Sequence, residues 1–138
     1  MTMMPRSASI IPLARRVLLV GLVLLWAGAF AATHIPVSKM PELHASDKTL
    51  HVLGYFALGG VFHITLAAYG IGRLRRSIVV VLTMAAYGAL DEITQPLVNR
   101  CAAFGDWLAD LAGAAAAVLV LEAFHTTLLK RKRATKPG

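Results

Sequence analysis

The chain has 138 residues, enough for one domain, of which 57% are hydrophobic and 15% charged, with a net charge of +7. Soluble domains average about 25% charged residues; here charge is gathered between continuous apolar runs, with mean hydropathy +0.66, which excludes a soluble domain and favours membrane helices over an alternating barrel. Nucleic acid is not expected as a partner, because Lys and Arg sit at run ends and in the tail "KRKRATKPG" without aromatic interleaving.

The first predicted span covers residues 17–36, "VLLVGLVLLWAGAFAATHIP", near the roughly 20 apolar residues that cross a bilayer. Arg15, Arg16 and the "AGA" within it also suit a cleaved signal peptide. Apolar character continuing from Phe30 to Ala32 favours a span, and both readings put residue 40 on the outer side.

The second span is predicted at 49–70 and opens "ASDKTLHVLGYFALGG". Asp47, His51 and Tyr55 recur at i, i+4 and i+8, along one helix face. Ser46 or Asp47 as a helix cap, with Lys48 reaching to the interface, accounts for the start of that stripe. It does not account for His51 and Tyr55.

The third span, 77–96, ends in "GALDEITQP". Tyr87, Asp91 and Gln95 repeat the same spacing beside Glu92, and Pro96 is expected to stop the helix sharply. A span ending at Leu90 would hold only 14 residues from Ser77, about 21 Å of rise against a core of roughly 30 Å. Asp91 and Glu92 are therefore expected at membrane depth, where ionisable groups are costly and usually functional.

The fourth span, 106–129, begins "DWLADLAGAAAAVLV". Asp106 suits a helix cap or the helix dipole, and Trp107 an interfacial belt. Asp110 lies one turn deeper, and the small residues from Gly113 to Ala117 allow a neighbouring helix to approach. Deeper still, His63 and Glu122 are expected to meet in the inner half of the bilayer, with a Glu122–His125 pair at i+3 as the alternative. Residues 130–138 form a basic tail.

One side collects eleven Lys and Arg residues, including Arg73, Arg75 and Arg76; the other holds Lys39, Lys48 and Arg100. The positive-inside rule then makes both termini cytoplasmic. Six of the seven acids (Glu42, Asp47, Asp91, Glu92, Asp106 and Asp110) fall outside. The fold expected is a single all-α membrane domain, a four-transmembrane-helix up-down bundle.

The candidate polar site at its outer end comprises Asp47, Lys48, His51, Tyr55, Asp91, Glu92, Gln95, Arg100, Asp106 and Asp110. So many carboxylates in a low-dielectric pocket cannot all ionise unpartnered; they must be protonated, paired with Lys48, His51 or Arg100, or bound to a metal. No compact ligand motif such as HExxH is present, and no metal or cofactor is expected. Acid–base work by Asp91, Glu92 or His51 and recognition of a polar headgroup are both open, and no nucleophile elbow or phosphate-cradling glycine loop selects a reaction. The lone Cys101 forms no internal disulfide.

Three segments in order, "DKTLHVLGY", "ALDEITQ" and the pattern R-x5-D-x3-D-x2-G from Arg100 to Gly113, resemble the VanZ-like family of small bacterial membrane proteins. The resemblance covers about residues 47 to 117. Asp110 departs from the family, where Asn is common at that position, and raises the acid count of the site. The resemblance implies a multi-span protein of the bacterial cell envelope, in the plasma membrane; the family's namesake is linked to teicoplanin resistance without altered peptidoglycan precursors.

Three functions compete. The first is an outer-leaflet site that binds or modifies an envelope component, with membrane lipids and a lipid-linked precursor as expected partners. The second is a small transporter, against which the Ala-, Leu- and Gly-rich middle of the bundle speaks. In the third, a scaffold, the polar cluster only locks the helices. The reaction, if any, and the oligomeric state are not fixed by these residues.

Overall fold

The computed structural model describes residues 7–36 and 46–134, with side chains described from 12 to 36 and 46 to 128. Four helices follow in order: α1 Ser7–Thr33, α2 Asp47–Ala68, α3 Arg73–Thr94 and α4 Phe104–Ala134. Each holds a segment long and apolar enough to cross a membrane: Pro12–Thr33, Asp47–Ala68, Arg73–Val98 (running on into a short turn) and Phe104–Leu128. The two shortest, of 22 residues each, rise about 33 Å.

The helices overrun the expected spans at their charged ends. α1 starts at Ser7 instead of 17, and α4 continues to Ala134 through part of the basic tail. Hydropathy marks where lipid begins, whereas Arg and Lys are good helix formers and do not stop a helix. α1 ends at Thr33, short of residue 36, because Pro36 disfavours helical backbone at Ile35. Of the residues counted on the outer side, Lys39 and Glu42 lie outside the described residues.

Local chemistry sets the turns. The Ser46 hydroxyl accepts from Thr49 N and caps α2, with Asp47 in its first turn. At the other end of α2, Gly70 takes φ +83°, Gly70 N donates to Ala67 O and Ile71 N to Leu66 O. This is a Schellman ending, with glycine in the left-handed position. It reverses the chain within four residues and sets Arg73 and Arg76 beside the end of α2. Pro96 does not break α3 sharply: Gln95 stays right-handed helical at φ −54°, and Gln95–Val98 tighten into a 3-10 turn. The reversal comes three residues later, where Asn99 adopts φ 58°, a conformation asparagine tolerates.

α2 and α4 share the most extensive interface, and they run parallel, since both start at the end that holds Asp91. Small residues make it close. A Cβ on Gly59 would stand 3.2 Å from Ala114 Cα, and one on Gly113 would overlap the Val52 carbonyl. Leu58, Val80, Met84, Ala114, Ala117 and Val118 fill the centre. α1 joins through Trp26, which stacks on Tyr87 at 5.1 Å and meets Phe62 edge-on at 5.7 Å, while Tyr87 Oη donates to Trp26 O.

The distribution of polarity is inverted relative to a soluble protein. Large apolar side chains such as Leu82, Ile93, Leu97 and Leu119 face outward, whereas nine polar or charged residues are buried among the described residues. An apolar surface of this extent matches lipid as its surroundings.

Because the Gly113 contact is with backbone that cannot swing aside, Gly113→Ala is expected to destabilise the fold by about 1–3 kcal/mol. Gly54→Ala, where nothing lies within 4 Å of the new Cβ, is expected to be neutral. Equilibrium unfolding in mixed micelles measures both.

Candidate functional site

Two polar clusters occupy opposite ends of the bundle. At the Asp91 end, His51 of α2 and Asp110 of α4 are buried and bonded, Nδ1 to Oδ1, at 2.8 Å. A carboxylate accepts, so Nδ1 carries the proton. His51 Nε2 faces Asp47 Oδ2 at 4.0 Å, and Arg100 NH2 reaches Asp47 Oδ1 at 3.4 Å. Glu92 Oε2 accepts from Ala103 N at 2.7 Å and so tethers the start of α4 to α3.

Asp91 and Glu92 are both buried but point apart, as neighbours on a helix do, about 100° around its axis. Asp91 turns to α1 and to the end of its own helix. Thr33 Oγ1 donates to Asp91 Oδ1 at 2.6 Å, His34 Nδ1 lies 3.6 Å from the same oxygen, and Gln95 Nε2 donates to Oδ2 at 3.4 Å. His34 Nε2 is also 2.9 Å from Thr94 Oγ1. The expected site is thus two neighbouring groups: His51, Asp110, Asp47, Arg100, Glu92 and Asp106 in one, Asp91 and Gln95 in the other.

The remaining expected members sit differently. Lys48 is exposed and lies over Gly105, with no ion pair among the described residues. Tyr55 is buried and its hydroxyl has no partner among the described residues. Asp106 is buried beside His51 and Asp47. Thr33, His34 and Thr94 were not singled out from the sequence: their contacts with Asp91 depend on where α1 docks, which no spacing within one helix records.

A cavity of about 310 Å³ opens beside this end, between α1 and α2. Its walls are apolar, from Ala29, Ala32, Ile35, Leu50, Gly54 and Leu58, and Thr33, Asp47, His51, Tyr55 and Arg100 complete its lining.

At the opposite end His63 Nε2 lies 3.0 Å from Glu122 Oε1, the proximity anticipated from the sequence. Two arginines complete the cluster. Arg76 donates from Nε to that same His63 nitrogen at 3.0 Å and from NH2 to Glu122 Oε1 at 2.8 Å; Arg73 Nε donates to Glu122 Oε2 at 2.6 Å. A guanidinium N–H can only donate, so His63 Nε2 accepts from Arg76, and Glu122 is held by the arginines. Arg76 was counted as an orientation signal in the sequence; at 7% exposed it is instead a buried partner. His125 has no bond to Glu122 among the described residues, and its Nδ1 has no partner.

Arg76→Gln is expected to cost about 1.5–3 kcal/mol, since it removes the buried guanidinium's bonds to His63 and Glu122 and leaves Glu122 to Arg73 alone. Arg73, with its side chain 44% exposed, is expected to cost under about 1 kcal/mol when changed to Gln. Unfolding free energies of the two variants provide the check.

No protein-family model, curated protein or solved structure matches the chain.

Proposed function

We propose that the chain is a VanZ-like integral protein of the bacterial plasma membrane, with both termini cytoplasmic, that binds an amphiphilic cell-envelope component at its extracytoplasmic end. The observation that carries this reading is the cavity between α1 and α2, with its apolar walls and its charged and polar residues, Asp47, His51 and Arg100, at one end. Ligand sites of this kind hold an apolar body in the walls and fix its head with a few polar groups. A lipid or lipid-linked precursor has that division. Arg100 would take a phosphate or carboxylate on the head, and Leu50, Leu58 and the α1 alanines would line its chain.

A scaffold role is the second reading, favoured by a specific observation: polar bonds from Thr33, His51, Glu92 and Arg100 cross between helices or to the loop before α4. Transport has less support, because Leu58, Val80, Met84, Ala114 and Val118 separate the two polar ends.

Gly54 separates the first two readings. It lines the cavity, and a Cβ there meets nothing within 4 Å. With Gly54→Phe, lipid capture by a photoreactive envelope precursor in native membranes is expected to fall about tenfold, the scale of blocking a site worth about 1.4 kcal/mol, with thermal unfolding unchanged. Undiminished capture, or a change in unfolding alone, counts for the scaffold. A deletion strain should in parallel show altered envelope lipids or teicoplanin susceptibility, restored by wild type and not by Arg100→Gln.

A further inference from the structure

His51 is the shared centre of two groups of potential ligand atoms. With Asp47 and Asp106 it offers one nitrogen and two oxygens, all within 4.8 Å of one another; a second set joins it to Glu92 and Asp110. The two sets differ in what their atoms already do. Asp110 Oδ1 is bonded to His51 Nδ1 and Glu92 Oε2 to Ala103 N, while the second, buried oxygen of each has no partner among the described residues. Asp106 is only 8% exposed, yet no hydrogen bond or ion pair reaches its carboxylate among the described residues. A carboxylate with this little contact with water and no protein partner is costly. The start of α4 offsets a fraction of that cost, since a helix terminus supplies only about half a unit charge.

We propose that His51, Asp106 and Asp47 bind one divalent transition-series cation, and that Asp110 is the positioning residue for the imidazole. With its Nδ1–H given to Asp110, the ring presents its lone pair at Nε2, the nitrogen that faces Asp47 Oδ2 at 4.0 Å. Metal-bound histidines commonly give their other N–H to a carboxylate, which fixes tautomer and ring orientation. Arg100 engages Oδ1 of Asp47, leaving Oδ2 for the ion. Two carboxylates balance a divalent charge, and one imidazole with two carboxylates suits Mn2+ or Zn2+ better than the all-oxygen shell of Ca2+. Asp47 is half exposed, so a cation reaches the site from the end of the bundle without crossing the core. The proposal rests on this cluster alone and holds whether or not the adjoining cavity takes an amphiphile.

Tag-free, chelator-stripped protein in nanodiscs, titrated with Mn2+ and followed by electron paramagnetic resonance, is expected to saturate at one ion per chain. The bound spectrum should carry nitrogen hyperfine coupling from the imidazole. His51→Gln and Asp106→Asn are expected to weaken binding at least about tenfold, and Asp110→Asn about 10- to 100-fold. Glu122→Gln, at the opposite end, should leave it unchanged. If the variants fail to fold, the wild-type spectrum decides: the absence of a saturable site, or saturation without nitrogen coupling, overturns the proposal. So does loss of binding in Glu92→Gln with binding intact in Asp106→Asn, which would put the ion in the other set.

Discussion

Everything else in this bundle depends on how closely α2 and α4 approach. Apolar helices in lipid gain little from burying oil against oil, so backbone proximity, packing and polar bonds must set their register. Gly113 against the Val52 carbonyl and Gly59 against Ala114 permit that proximity. The consequence is visible at both ends. His51 meets Asp110 and His63 meets Glu122 across the same sequence separation of 59 residues, as two parallel helices in one register require. One steric fit between small residues thus aligns two ionic clusters that lie 12 positions apart on each helix.

The clusters themselves obey one rule: a charge inside the bundle comes with partners from other helices. Asp91 draws on α1 through Thr33, and Glu92 ties down the entry to α4. Arg76 of α3 reaches α2 at His63 and α4 at Glu122. Because desolvated charges are penalised unless paired, these bonds also discriminate against misdocked helices, where each would be left alone. Among the described residues, buried polar atoms without a partner at the Asp91 end include the Tyr55 hydroxyl, Glu92 Oε1 and Asp110 Oδ2, and Tyr55 lines the cavity there.

Much of this was legible in the sequence, for identifiable reasons. Four apolar runs give four helices, and the length count that drew Asp91 and Glu92 inward agrees with their burial. The stripe from Asp47 to Tyr55 and the step from Asp106 to Asp110 were readable because a helix repeats its faces every three to four residues. Pairing was harder to read. Tyr87 shares the stripe of Asp91, yet bonds to Trp26 and belongs to the aromatic contact with α1. Arg76 sits in "RLRR", where counting charge conceals depth: Arg75 is exposed and Arg76 is buried one position later. Partners 58 to 60 residues apart, as for Thr33 and His34 with the third helix, depend on docking.

α1 is the least committed of the four helices. Among its described side chains only Leu22 is buried, and it is fastened at separate points: Arg15 to the Ala68 carbonyl, Trp26 to Tyr87, Thr33 to Asp91. It also forms one wall of the cavity, opposite α2. That wall is therefore the part of the enclosure with the fewest contacts to break. Tilting α1 about its Arg15 tether would widen that space sideways, while α2, α3 and α4 kept their register. In mechanical terms, three helices form the frame and the first leans on it at those separate points.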